Sequence, residues 1–187
     1  MKLMKRLAWI ALLAQFMTGC SSSPVFKDPE KPNHSLVLMH IDMSDGPTKA
    51  HWVEATQYRP KRDQQYFGFV SDKELGTIMH HQRIVPGKYK LTSFGGTGSS
   101  WGQTTRYTFG FPPQGGLAKM DIKRPGIYYM GSFKYKKVKT GFFEQAKFTI
   151  EKQDKPTEKE VLTKFLAHVE KDGKWRKMIE KRIKELK

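Results

Sequence analysis

Apolar and polar residues alternate with a period of two in the runs that follow the Pro-Gly pairs at 86–87 and 125–126, the signature of half-buried β-strands. Residues 36–41 depart from that alternation. They are almost all apolar and read as a strand buried on both faces or a helix fragment; their short length favours the strand, closed by the turn chemistry of Ser44-Asp45-Gly46-Pro47. Further strands are expected over 50–58, 65–70, 76–81, 84–94, 104–111, 117–122, 127–135 and 142–151. Arg59-Pro60, Pro86-Gly87, Pro112-Pro113, Gly115-Gly116 and Pro125-Gly126 punctuate them. Two Pro-Gly corners open the most regular runs, each with a glycine expected to take a positive φ. After Pro86-Gly87, Tyr89 and Leu91 fall on one face and Lys88, Lys90 and Thr92 on the other. After Pro125-Gly126, Ile127, Tyr129, Phe133 and Tyr135 are expected on one face, alternating with Ser132, Lys134 and Lys136. No β-α-β alternation is present, so the pattern predicts an antiparallel β-sandwich of about seven to nine strands.

The period changes after Asp154. Thr157-Glu158-Lys159-Glu160 has the spacing of a capping box, and Val161, Leu162, Phe165, Leu166 and Val169 form a helical stripe that Gly173 is placed to end. A second amphipathic helix starts at Lys174. It carries Trp175, Met178, Ile179, Ile183 and Leu186 on one side, and Lys174, Lys177, Lys181 and Lys184 on nearly the opposite side. The organisation expected is thus a leader over 1–19, a tether over 20–35, a sandwich over 36–152 and a basic helical tail over 153–187.

The leader has the parts of an export signal: Lys2, Lys5 and Arg6, then an apolar run from Leu7 to Met17 broken by Gln15, then a small residue before Cys20. That run is too short to span a bilayer as a helix. Met17-Thr18-Gly19-Cys20 resembles the lipobox of bacterial lipoproteins, with Met where Leu is usual, and Cys20 is the sole cysteine of the chain. The resemblance implies cleavage before Cys20 and a lipidated sulfur. With Ser21 rather than Asp next in line, it also implies transfer to the outer membrane, the body facing the periplasm. Residues 21–35, with Pro24, Pro29, Pro32 and three serines in a row, read as a spacer that spans about 45 Å if extended. Of the net charge of +16, Lys2, Lys5 and Arg6 account for three, so +13 stays with the body after cleavage. Such an excess would point to nucleic acid in the cytoplasm; export removes that partner.

Gly98-Ser99-Ser100-Trp101-Gly102 fits the G-x-S-x-G pattern of a serine-hydrolase elbow, which needs a helix directly after it and a histidine downstream. The residues after it read as a strand, and His168 is the one downstream histidine, on the tail. A glycine-serine loop between strands is the expected structure. His80 and His81, adjacent on a strand, point to opposite faces, and His40 with Asp42 supplies two ligands without a third, so no metal site and no cofactor are expected. The tail is more informative: seven basic residues against Glu180 and Glu185 from Lys174 to Lys187 make Lys174, Lys177, Lys181 and Lys184 a candidate contact for an anionic lipid or an acidic envelope partner.

Pro86, Gly87, Tyr89 and Leu91, with Pro125-Gly126-Ile127-Tyr128-Tyr129, resemble the P-G-x-Y-x-L strand of small bacterial lipoproteins that carry a carboxypeptidase-regulatory-like or transthyretin-like, immunoglobulin-like sandwich. The resemblance covers residues 36–151 and implies a module that binds or spaces. Apart from Cys20, it carries over no functional residue. The expected function is therefore a non-enzymatic interaction or assembly module of the cell envelope, anchored in the outer membrane. An envelope hydrolase using Ser100 is the alternative.

Overall fold

The computed structural model describes residues 26–60, 66–71, 75–111, 119–138 and 147–186. The expected leader, Cys20 and the first part of the tether lie outside the described residues, as do the starts of the strands expected at 65, 117 and 142. Nine strands and two helices are described: β1 (Ser35–Asp42), β2 (Trp52–Arg59), β3 (Tyr66–Ser71), β4 (Ile78–Ile84), β5 (Gly87–Ser100), β6 (Gln103–Gly110), β7 (Lys119–Ile122), β8 (Ile127–Val138), β9 (Lys147–Gln153), α1 (Glu158–Leu166) and α2 (Lys174–Glu185).

The hydrogen-bonded path runs β6-β5-β2-β3-β4-β1-β8-β9, with β7 added to β5. It doubles over into two walls that stay joined along β3 and β4, giving a mainly β sandwich with a C-terminal helix pair. Val53, Ala55, Phe69, Leu91 and Phe94 of one wall meet Val37, Met39, Ile41 and Phe133 of the other. Each of these side chains larger than Ala55 contributes roughly 1.5–3 kcal/mol by leaving water. Every described strand pair is antiparallel except β1 with β8, which run parallel because the chain returns to β1's side through the whole second wall.

β1 is buried on both faces, as its unbroken apolar run predicts. Val37, Met39 and Ile41 enter the core between the walls, while Leu36 and Leu38 turn to the outside of their wall. There they meet Leu75 and Ile78 from around β4, Val161, Leu162 and Phe165 of α1, and Trp175 and Ile179 of α2. The molecule is thus layered as wall, wall, helices.

Three local expectations are corrected. Ile127 and Tyr129 face the helices, whereas Phe133 and Tyr135 enter the sandwich core. Gly131, at φ +113°, sits where the β1–β8 register shifts between Leu38 and His40, and one inserted residue sends every later side chain to the opposite face. The Pro-Gly corners also differ from each other. A Cβ on Gly87 would overlap the Gln57 side chain and stand 2.9 Å from the Arg59 carbonyl oxygen. Gly126 has no positive φ, and a Cβ there would meet its nearest neighbour, the Tyr128 ring, at an ordinary contact distance of 3.5 Å. Finally, α1 stops at Leu166, and Gly173 opens α2 instead of ending α1. The Thr157–Glu160 capping box forms as expected, with Glu160 N–H donating to Thr157 Oγ1 and Thr157 N–H to Glu160 Oε2 at 2.6 Å. Hydrogen bonds from Lys155 and Thr157 hold the Glu160 carboxyl down at about 2.

Candidate functional site

The second half of the expected spacer lies against the helical layer. Phe26 N–H donates to the His168 carbonyl at 2.7 Å and the Phe26 carbonyl accepts from Glu170 N–H, a short parallel bridge beside Val169. Its ring stacks on Phe165 with centroids 4.9 Å apart and meets His80 edge-on at 4.5 Å. Two residues later, Asp28 Oδ1 accepts from Trp175 N–H at 3.1 Å. That bond matters because Gly173 has no side chain with which to cap α2; a carboxylate there satisfies an orphan donor and lies at the positive end of the helix dipole. Glu30 then pairs with Arg83 of β4. Residues 26–34 therefore form a strap across the first turn of α2. Only Phe26 signals this in the sequence, and its partners are formed by residues more than fifty positions away.

The helices are locked to each other by arginines. Arg176 donates to the Leu166, Val169 and Glu170 carbonyls at 2.9–3.4 Å, closing the end of α1. Arg182 grips Glu158 through two bonds of 2.7 and 3.1 Å, which raises the guanidinium pKa further. Arg176 also pairs with Glu180, and Arg182 with Glu185. The four acids at positions 158, 160, 180 and 185 are thus engaged by Arg182, Lys155 and Arg176. With Trp175 and Ile179 in the core, Lys174, Lys177, Lys181 and Lys184 are all exposed on the outward side of α2. None of the four enters an ion pair among the described residues. From first to last they extend about 15 Å along the helix.

The other candidates do not converge. Gly98–Gly102 is the tip of the β5–β6 hairpin: Ser100 pairs with Gln103 across the two-residue turn Trp101-Gly102, both at positive φ, and a strand follows where an elbow places a helix. Trp101 at that tip is completely exposed. His168 belongs to the helical layer, into whose core neither β5 nor β6 reaches. His80 faces Phe26 and Phe165, while His81 Nδ1 lies 2.9 Å from the Gly68 carbonyl near Phe69, so the two do point to opposite faces. His40 and Asp42 share the helix-facing side of β1, and no group of three metal-ligating side chains occurs among the described residues. A groove of about 410 Å³ opens between the edges of the walls, lined by Tyr107, Phe109, Tyr135 and Phe148 with Asp45 and Lys137 at its mouth. A second, of about 390 Å³, lies between the strap and the Gln82-Arg83 end of β4. No described helix is long and apolar enough to cross a membrane. Family models, characterised proteins and solved structures were all compared with the chain, and none matches.

Proposed function

We propose that the protein is a lipid-anchored envelope lipoprotein, held in the outer membrane through Cys20, whose transthyretin-like body works as a binding or assembly module in the periplasm. The observation that carries this reading is the position of the only cysteine, directly after the basic and apolar parts of an export leader and at the end of Met17-Thr18-Gly19-Cys20. Three acyl chains there would bury dozens of methylenes, at about 0.8 kcal/mol each, so the attachment is stable. A body whose recognisable surfaces are a basic helix, an exposed tryptophan hairpin and an aromatic groove suits binding. Labelling of cells with a fatty-acid probe tests the anchor. The wild-type protein is expected to take up label and to fractionate with outer membranes, and Cys20→Ala to take up none and to run as a longer precursor. Equal labelling of the two would remove the anchor from the reading.

A further inference from the structure

The geometry points to a second membrane contact: the Lys174, Lys177, Lys181 and Lys184 face of α2 binds anionic phospholipid headgroups of the same bilayer that holds the anchor. This inference rests on the lipoprotein reading of Cys20. Three observations combine. First, the strap removes most of the spacer. Once Phe26 is fixed between Phe165, His80 and the backbone at positions 168 and 170, only five residues separate it from Cys20, a reach of about 20 Å over six residue steps at full extension. Secondly, the strap crosses the body at the start of α2, where Asp28 binds Trp175 N–H beside Lys174, so the helical layer is the part of the body tied closest to the bilayer. Thirdly, the acids of the two helices, Glu158, Glu160, Glu180 and Glu185, are taken up by arginines and Lys155, which leaves the four exposed lysines on the outward side outside any ion pair among the described residues.

A bilayer within that reach is the one anionic surface that the anchor brings to the ridge in every copy. Close to the membrane the attraction adds up over the lysines and is not lost to screening, whereas a Debye length away it would be. An anchor with a basic patch is also the two-signal arrangement by which peripheral proteins fix their orientation. The consequence is a body that stands on its helices. The β5–β6 wall, with Trp101 at its hairpin tip, is then held farther out by at least one sheet-to-sheet spacing, about 10 Å.

The test uses the mature lipidated protein in vesicles of phosphatidylglycerol and phosphatidylethanolamine. Because the Cys20 sulfur is consumed by the lipid, one introduced cysteine accepts a fluorophore, in one sample through Thr163→Cys on the exposed side of α1 and in another through Thr105→Cys on β6. Quenching by a nitroxide on the lipid headgroup is expected to be several-fold stronger at position 163 than at 105. Replacing the four lysines by glutamine, or raising NaCl to about 0.5 M, is expected to abolish that difference while the protein still floats with the vesicles. Equal quenching at the two positions overturns the inference. So does a difference that survives the glutamine variant, or one that is the same in vesicles of neutral phosphatidylcholine. Protein that fails to float at all reports instead that the anchor is missing, which separates failure of the lipoprotein reading from failure of the ridge.

Discussion

The core between the two walls and the core beneath the helices are both lined by β1, yet they are assembled differently. The first is aromatic and long-range: Phe94 packs on Phe109, Phe109 on Tyr135 and Tyr135 on Phe148, with centroids 5.1–5.4 Å apart, and the four rings come from well-separated parts of the chain. The second is largely aliphatic. Leu36, Leu38 and Ile78 supply the floor, and two short helices and one strap, each a separate piece, supply the cover. Losing the opposite wall uncovers Val37, Met39 and Ile41 and opens the larger aromatic core with them; losing the cover uncovers only Leu36, Leu38 and their neighbours. The helical layer is therefore the unit that opens first, and it is also the layer that carries the basic ridge.

The most direct way to break that distinction is to cut equally deep into each core. Phe94→Ala removes a fully buried ring that touches Phe109, Phe111 and Phe148, and is expected to cost about 3–5 kcal/mol. Amide exchange should accelerate throughout the body, and the melting temperature should drop by about 10 °C. Trp175→Ala removes a larger side chain, 1 % exposed, from the other core. Its expected signature is local: protection is lost in α1, α2 and residues 26–34 but kept in β2 and β5, with a smaller fall in melting temperature. Uniform loss of protection in both variants would show that the two cores unfold as one.

Gly87→Val comes next. A branched side chain at this position meets Gln57 and the Arg59 carbonyl, so the β2–β5 contact must part, at about 1–3 kcal/mol. Gly126→Ala at the second corner, with its nearest neighbour at 3.5 Å, is expected to be neutral within about 0.5 kcal/mol. Equal effects at the two corners would mean that the shared Pro-Gly motif, rather than the packing around it, sets the cost. On the helical side, Asp28→Ala removes the acceptor at the start of α2 and is expected to cost about 1 kcal/mol, read as faster exchange of the Trp175 amide. Asp28→Asn, which keeps an oxygen acceptor, should restore much of it.

All nine described strands and both helices could be read from the sequence because each carries a local mark: an unbroken apolar run in β1, alternation or flanking turn residues in the other strands, and a helical stripe in α1 and α2. Val161, Leu162, Phe165, Trp175 and Ile179 pack where that stripe puts them. The β8 faces could not be read from alternation, since the bulge at Gly131 adds a residue without breaking the apolar-polar count; the lone glycine was its one signal. The strap was hidden for another reason. Phe26 stands in a proline-rich polar stretch with no period, and its binding site is made by α1 and β4, so only the assembled fold reveals it. The parallel β1–β8 pair is likewise a property of topology, because two strands that pair across ninety residues leave no local mark. At the candidate site, the lysine ridge follows from helical spacing alone, whereas the arginine pairing that takes up the helices' acids does not.

The smallest effect expected distinguishes the two cores by pH. His40 lies on the helix-facing side of β1, and burial first, with Lys164 adding to it against the opposing pull of Asp42, lowers its pKa from 6.5. His81 lies at the edge of the sandwich core near Phe69, where burial also lowers its pKa, partly offset by the hydrogen bond to the Gly68 carbonyl. For both, the unfolded chain binds more protons than the folded one between the folded pKa and 6.5. Stability then rises with pH in that interval: it is complete above about 6.5 and is lost as the pH falls through the folded values. The Asp42 carboxyl, also lowered, and the Glu160 carboxyl at about 2 titrate below this window, so the interval from pH 7.5 to 5.5 reports on histidines. A fall of a few degrees in melting temperature across it is expected. His40→Gln should flatten the part seen in the exchange of α1 and α2 amides, and His81→Gln the part seen in β3 and β4. A melting temperature that stays constant or rises on acidification would show that neither histidine is held neutral by its core.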